Sequence, residues 1–156
     1  MTLVADYIPH QPPMRLIDEI ISAADDRVCV AAQITRDNIF FDPAEGGVPA
    51  WVGIEYMAQA AAVWVGRHCE QLGRPIQPAF LISSRQLTAE VPVFAEGEAL
   101  RITVIAALVE PPIVAFRGSI TIESGQKLVE AIFSAYQPED VTDYLNKGQQ
   151  NTQEAQ

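Results

Sequence analysis

The chain of 156 residues is long enough for one domain with its own apolar core and too short for two ordinary ones. Hydrophobic residues make up 49% and charged residues 19%, a globular composition that excludes wholesale disorder. The formal charge is -10, from 20 acidic against 10 basic residues, and no cluster of Lys or Arg is available to track a phosphate backbone, which argues against nucleic acid as a partner.

In chain order, VADYIPHQPPMRLIDEI (Val4 to Ile20) is interrupted by Pro9, Pro12 and Pro13, so no early helix is expected and the segment reads as a lead-in packing over the core. RVCVAAQIT (Arg27 to Thr35) is rich in β-branched residues and bounded by Asp and Asn, the signature of a strand. DPAEGG (Asp42 to Gly47) is a loop. Pro49 stands where a helix can open, because its missing N–H is not needed in a first turn. From Ala50 to Gly73 no proline intervenes, and Gly73 and Pro75 supply the stop. About 22 residues of helix would run about 33 Å, with apolar residues on nearly every side, so the helix is expected to be buried almost all round.

Four strand-like runs follow, PAFLISSRQLTAEV, ALRITVIAALVE, IVAFRGSITIES and KLVEAIFSAYQP, separated by short turn signals that favour antiparallel neighbours. One long buried helix and a run of antiparallel strands make an α+β layout, the helix against one face of a curved antiparallel sheet. A single domain is expected over residues 1–140, then a polar and mobile tail over 141–156. Neither a charged and apolar leader nor an uninterrupted membrane-length apolar stretch is present, so a cytoplasmic location without membrane contact is expected. Cys29 and Cys69 show no metal-ligand spacing and read as buried reduced thiols.

The chemistry-bearing side chains are few. Glu55 lies early in the helix with Gln59 one turn later on the same face. A carboxyl enclosed by apolar neighbours holds its proton more readily than one in water and suits proton transfer near neutral pH, whereas an exposed acid there would simply complement the helix dipole. His10 in the lead-in and His68 near the helix end are the only histidines. Trp51, Tyr56, Met57 and Trp64 are either the lining of a binding tunnel or plain core, with core favoured by base rate. In so acidic a chain, a docking patch for an acidic partner must be local, and Arg67, Arg74, Arg85 and Arg101 provide positive charge.

GGVPAWVGIEYMAQAAA, the upstream YIPHQPPMRLIDEI and the downstream ISSRQLTAEVPVFAEGEALRITV together resemble the hotdog-fold 3-hydroxyacyl-[acyl carrier protein] dehydratases in content, order and spacing over about residues 7–136. The pattern is most similar to the small dehydratase-like proteins of aryl polyene lipid synthesis. The resemblance implies a long central helix wrapped by the sheet, and sheets paired between two subunits as a homodimer or heterodimer with a second hotdog dehydratase. It implies an acyl carrier protein as partner and no metal or organic cofactor beyond the substrate's phosphopantetheine arm. It puts the family's carboxylate at Glu55, its glutamine at Gln59, its helix-opening proline at Pro49, and its backbone donors for the thioester carbonyl at Ala50 and Trp51. Arg85 falls where the family lines its substrate tunnel, and a solvated edge position is the alternative. The family's loop histidine has no counterpart: the aligned positions are Phe41 or Ala44, and the loop's titratable residues are Asp42 and Glu45. His10 matches a family histidine that is not the usual base. A dehydratase with another base such as His10, a weakened subunit that works beside a complete one, an acyl thioesterase and a non-enzymatic acyl-binding module are the competing expectations.

Overall fold

Proline sets the start of the helix and glycine its end. Pro49 precedes a single 3-10 turn, Ala50–Val52, which leads into α1 (Gly53–Gln71). Gly73 adopts φ +68, and beyond it Arg74 N–H reaches back to the Cys69 carbonyl at 2.9 Å, closing the helix with a left-handed residue that glycine tolerates best. From Val52 to Cys69 no residue is exposed, as expected from an apolar pattern without a polar face. The computed structural model describes residues 3–8, 10–76 and 80–137. The expected tail over 141–156, and the boundary at 140, lie outside the described residues.

The strands are β1 (Glu19–Ala23), β2 (Arg27–Gln33), β3 (Gly47–Pro49), β4 (Phe80–Ala89), β5 (Val93–Ala95), β6 (Ala99–Glu110), β7 (Ile113–Ile122) and β8 (Lys127–Tyr136). Six form an antiparallel sheet in the order β1-β2-β6-β7-β8-β4, and β3 pairs with β5 in a separate ribbon. Alternation decides which side meets α1. Val28, Ile102, Phe116 and Phe133 are buried on the inner face, while Arg101, Arg117, Glu130 and Ile132 stand exposed between them. Each large side chain enclosed in this way contributes about 1.5–3 kcal/mol.

Two departures from the sequence pattern have physical causes. β1 emerges at the end of the lead-in, where its period was hidden because a bulge between Ile20 and Ser22 sets Ile20 and Ile21 side by side rather than in alternation. β4 is exposed along most of its length, including Leu81, Ile82 and Leu87. It is an edge strand, bulged twice against β8 and carrying Gln86 at φ 54.

The lead-in is fastened across α1. Tyr7 is buried against Gly66, where an added Cβ would come within 2.9 Å of the Tyr7 Cβ and 3.1 Å of its carbonyl oxygen. Gly66→Ala is expected to cost about 1–3 kcal/mol by overpacking, seen as a lower urea midpoint at unchanged slope. Farther along, the carbonyl of Gln11 accepts from Met14 and Arg15, so the chain turns back just after His10 and leaves that residue near the start of the turn.

Candidate active site

Glu55 and Gln59 lie one helical turn apart and are joined by a 3.0 Å hydrogen bond, Gln59 Nε2 donating to Glu55 Oε1. Gln59 is fully buried and every polar atom of its amide is used. Its Nε2 also donates to the Met14 carbonyl at 2.9 Å, and its Oε1 accepts from the Leu16 N–H at 2.8 Å. The amide therefore locks the lead-in to the helix and orients the carboxylate in one stroke. Neither Met14 nor Leu16 is conspicuous in the sequence, because main-chain groups carry no residue-type signal.

His10 closes the third side. Its Nε2 stands 3.8 Å from Glu55 Oε1, and its Nδ1 is enclosed without a hydrogen-bond partner among the described residues. The side chains of Glu55 and His10 are 40% and 31% exposed. The Glu55 carboxyl thus opens to solvent more than an apolar groove implied, while Gln59 at its back is dry. The fold brings Glu55, Gln59 and His10 into one cluster, although His10 is 45 positions before Glu55 in the chain.

Other expected site residues are disposed differently. Pro49 pairs in β3 opposite Val93, and Ala50 is buried with its N–H donating to the Pro92 carbonyl at 2.9 Å. The expectation that Ala50 offers a free N–H to a thioester carbonyl is corrected on that ground, since the β3–β5 ribbon already uses it. Trp51 is 64% exposed and rests against Phe40 in an edge-to-face contact, 6.1 Å between ring centroids. Arg85 pairs with Ile132, whose chain neighbours Ala131 and Phe133 face the core, so Arg85 points to the outer side of the sheet, away from α1. Within one chain Arg85 does not join the Glu55 cluster, and the solvated edge alternative describes its position. Arg101 shares that outer face, Arg67 is half-buried on α1 and Arg74 is exposed beyond its end.

The loop before the helix is a tight turn built around Asp42. Its carbonyl accepts from Glu45, Gly46 and Gly47, and its Oδ1 caps Ala44 N–H at 2.9 Å. Asp42 is occupied in holding this turn, and Glu45 is exposed. Tyr56, Met57 and Trp64 are core. Burial pushes the Tyr56 hydroxyl up to about 12 against the opposing hydrogen bond from Asn38 Nδ2, so it stays protonated through the neutral range. His68 stacks on Trp64 with 4.8 Å between ring centroids, and the Trp64 indole N–H donates to the Asp25 carbonyl. Cys29 and Cys69 are free thiols. Among the described residues no group of three His, Cys, Asp or Glu converges as a metal site, and no helix is long and apolar enough to cross a membrane.

The ApeP-like family, described as ApeP dehydratase, matches residues 2–146. The chain belongs to this family. A chain of the dehydratase heterocomplex ApeI:P from Xenorhabdus doucetiae is 30% identical, with 94% of this chain and 97% of that one covered at a TM-score of 0.86. The protein is accordingly a hotdog-fold, dehydratase-like subunit of aryl polyene synthesis. The fold recurs in a hypothetical thioesterase with coenzyme A from Streptococcus pneumoniae TIGR4, at 15% identity, 77% and 84% coverage and a TM-score of 0.61. It recurs also in the E. coli PaaI protein of the phenylacetic acid degradation operon, at 14% identity, 75% and 80% coverage and a TM-score of 0.59. Among curated proteins none matches.

Proposed function

We propose that this protein is one half of a cytoplasmic two-subunit dehydratase, acting on 3-hydroxyacyl thioesters borne on the phosphopantetheine arm of an acyl carrier protein, and that its partner is a second hotdog dehydratase. The observation that carries this reading is the Glu55 carboxyl, oriented from behind by Gln59 and open in front, with no histidine on the loop that enters the helix. Elimination needs a base to take a C2 proton and an acid to protonate the departing 3-hydroxyl as the C2–C3 double bond forms and water leaves. Glu55 is suited to the second task. Gln59 engages Oε1, which leaves Oε2 as the oxygen that delivers the proton. The base then comes from the partner, and the Ala50 N–H, being occupied, does not serve as the electrophilic donor.

The similarity to a chain of the ApeI:P heterocomplex supports a heterotypic pair. Among the described residues β4 is a ten-residue strand at the edge of the sheet, and its exposed Leu81, Ile82 and Leu87 offer apolar surface on which another sheet can pair. His10 favours a second reading, in which the chain supplies its own base: its imidazole is 31% exposed and its Nε2 stands 3.8 Å from Glu55 Oε1.

Mass spectrometry of a 3-hydroxyacyl carrier thioester separates the two readings. Loss of water only after a histidine-bearing hotdog partner is added is the expected result. Water loss by this protein alone, abolished in His10→Ala, would replace it with the self-contained enzyme. Release of a free acid instead of an enoyl thioester would make the protein a thioesterase.

A further inference from the structure

The side chain that stands out on the surface is Trp51. It is 64% exposed, more than any other large hydrophobic residue among those described. It lies four positions before Glu55, so Trp51, Glu55 and Gln59 follow one another at one-turn spacing along the same side of the helical run. Exposure falls along that line, from the open indole through the half-open carboxyl to the dry amide. A chain reaching Glu55 from solvent on that side therefore passes the indole first.

The ring is also held. Phe40 meets it edge-to-face at an interplanar angle of 77°, and the Phe40 N–H is in turn fixed by Asn38 Oδ1, whose own amide nitrogen donates to Tyr56. An exposed indole anchored on one side by a loop tied to the core gives a flat, preorganised apolar surface at the edge of the carboxylate site.

We propose that Trp51 is the specificity-determining residue of this site: its indole face stacks with the planar, conjugated aryl portion of the acyl group and so selects conjugated over saturated thioesters. The inference rests on the acyl-thioester reading given above. The physical basis is shape and quadrupole. A conjugated aryl chain is flat and matches an indole in an offset stack, whereas a saturated chain of equal length presents staggered methylene groups and gains only dispersion. Stacking of this kind favours the flat ligand about tenfold.

The test uses the full chain, with and without its hotdog partner, in a Glu55→Gln background so that binding is read without turnover. An arylpentadienoyl pantetheine thioester and a saturated acyl pantetheine thioester of equal length are titrated while tryptophan emission and Kd are followed. Expected are quenching of emission by the conjugated ligand and about tenfold tighter binding of it. Trp51→Ala should erase the preference and change binding of the saturated ligand less than about twofold, and Trp51→Phe should keep part of it. An undiminished preference in Trp51→Ala, or equal losses for both ligands, overturns the proposal. So does burial of the Trp51 emission by the partner alone with no further response to thioester, which would make the ring an interface residue. If neither ligand binds in any assembly, the acyl-thioester reading falls and the proposal falls with it. If the preference is seen but water loss survives Glu55→Gln, only the role of Glu55 is lost.

Discussion

Replacing Gln59 with Met is expected to destabilise the protein by about 3 kcal/mol, lowering Tm by about 6–12 °C. The substitution keeps the length of the side chain and removes all three hydrogen bonds. The Leu16 N–H is then left buried with no replacement, which costs about 1–3 kcal/mol, and the half-buried Met14 carbonyl loses its bond as well. A general loss of core packing is not involved, since Met fills nearly the same space. Because the lost bonds fasten the lead-in to α1, amides near Leu16 should also exchange faster than those in β6 and β7. A Tm unchanged within about 1 °C would mean that the lead-in is held by its apolar contacts alone.

Glu55→Gln should behave in the opposite way. With 40% of its side chain exposed and a single hydrogen bond to Gln59, Glu55 contributes little to stability, and Gln at this position still accepts from the Gln59 amide. The expected change is within about 0.5 kcal/mol. Water loss from a 3-hydroxyacyl thioester, measured in the assembled pair, should instead fall about 10²–10⁴-fold, because the amide is far too weak an acid to protonate the departing hydroxyl. The contrast between intact folding and lost turnover identifies a catalytic residue. Full turnover in the paired enzyme would assign the acid to the other subunit and leave this chain a scaffold.

Much of the architecture was legible before any coordinates. An apolar helix with no polar face, opened by Pro49 and stopped at Gly73, must be enclosed, and the alternating runs after it can enclose it only as an antiparallel sheet. The proximity of Glu55 and Gln59 follows from the 3.6-residue period, so it too was local information. What stayed hidden involved irregular strands or groups without a residue-type signature. β1 was masked by its bulge, and the capture of the Ala50 N–H by Pro92 depends on how two short strands meet.

By itself the sequence determined the helix, the sheet that covers it and the spacing of the two polar groups on the helix, because these depend on periodicity and on the backbone limits of proline and glycine. Tertiary structure alone decided that His10 stands beside Glu55, that Arg85 faces the opposite side of the sheet and that Trp51 is left in the open. The reason is that each depends on contacts or register between segments far apart in the chain. The lead-in reaches Glu55 because the buried Gln59 amide binds its backbone and Tyr7 packs on Gly66, and a bulged edge strand sends Arg85 outward through its pairing with Ile132.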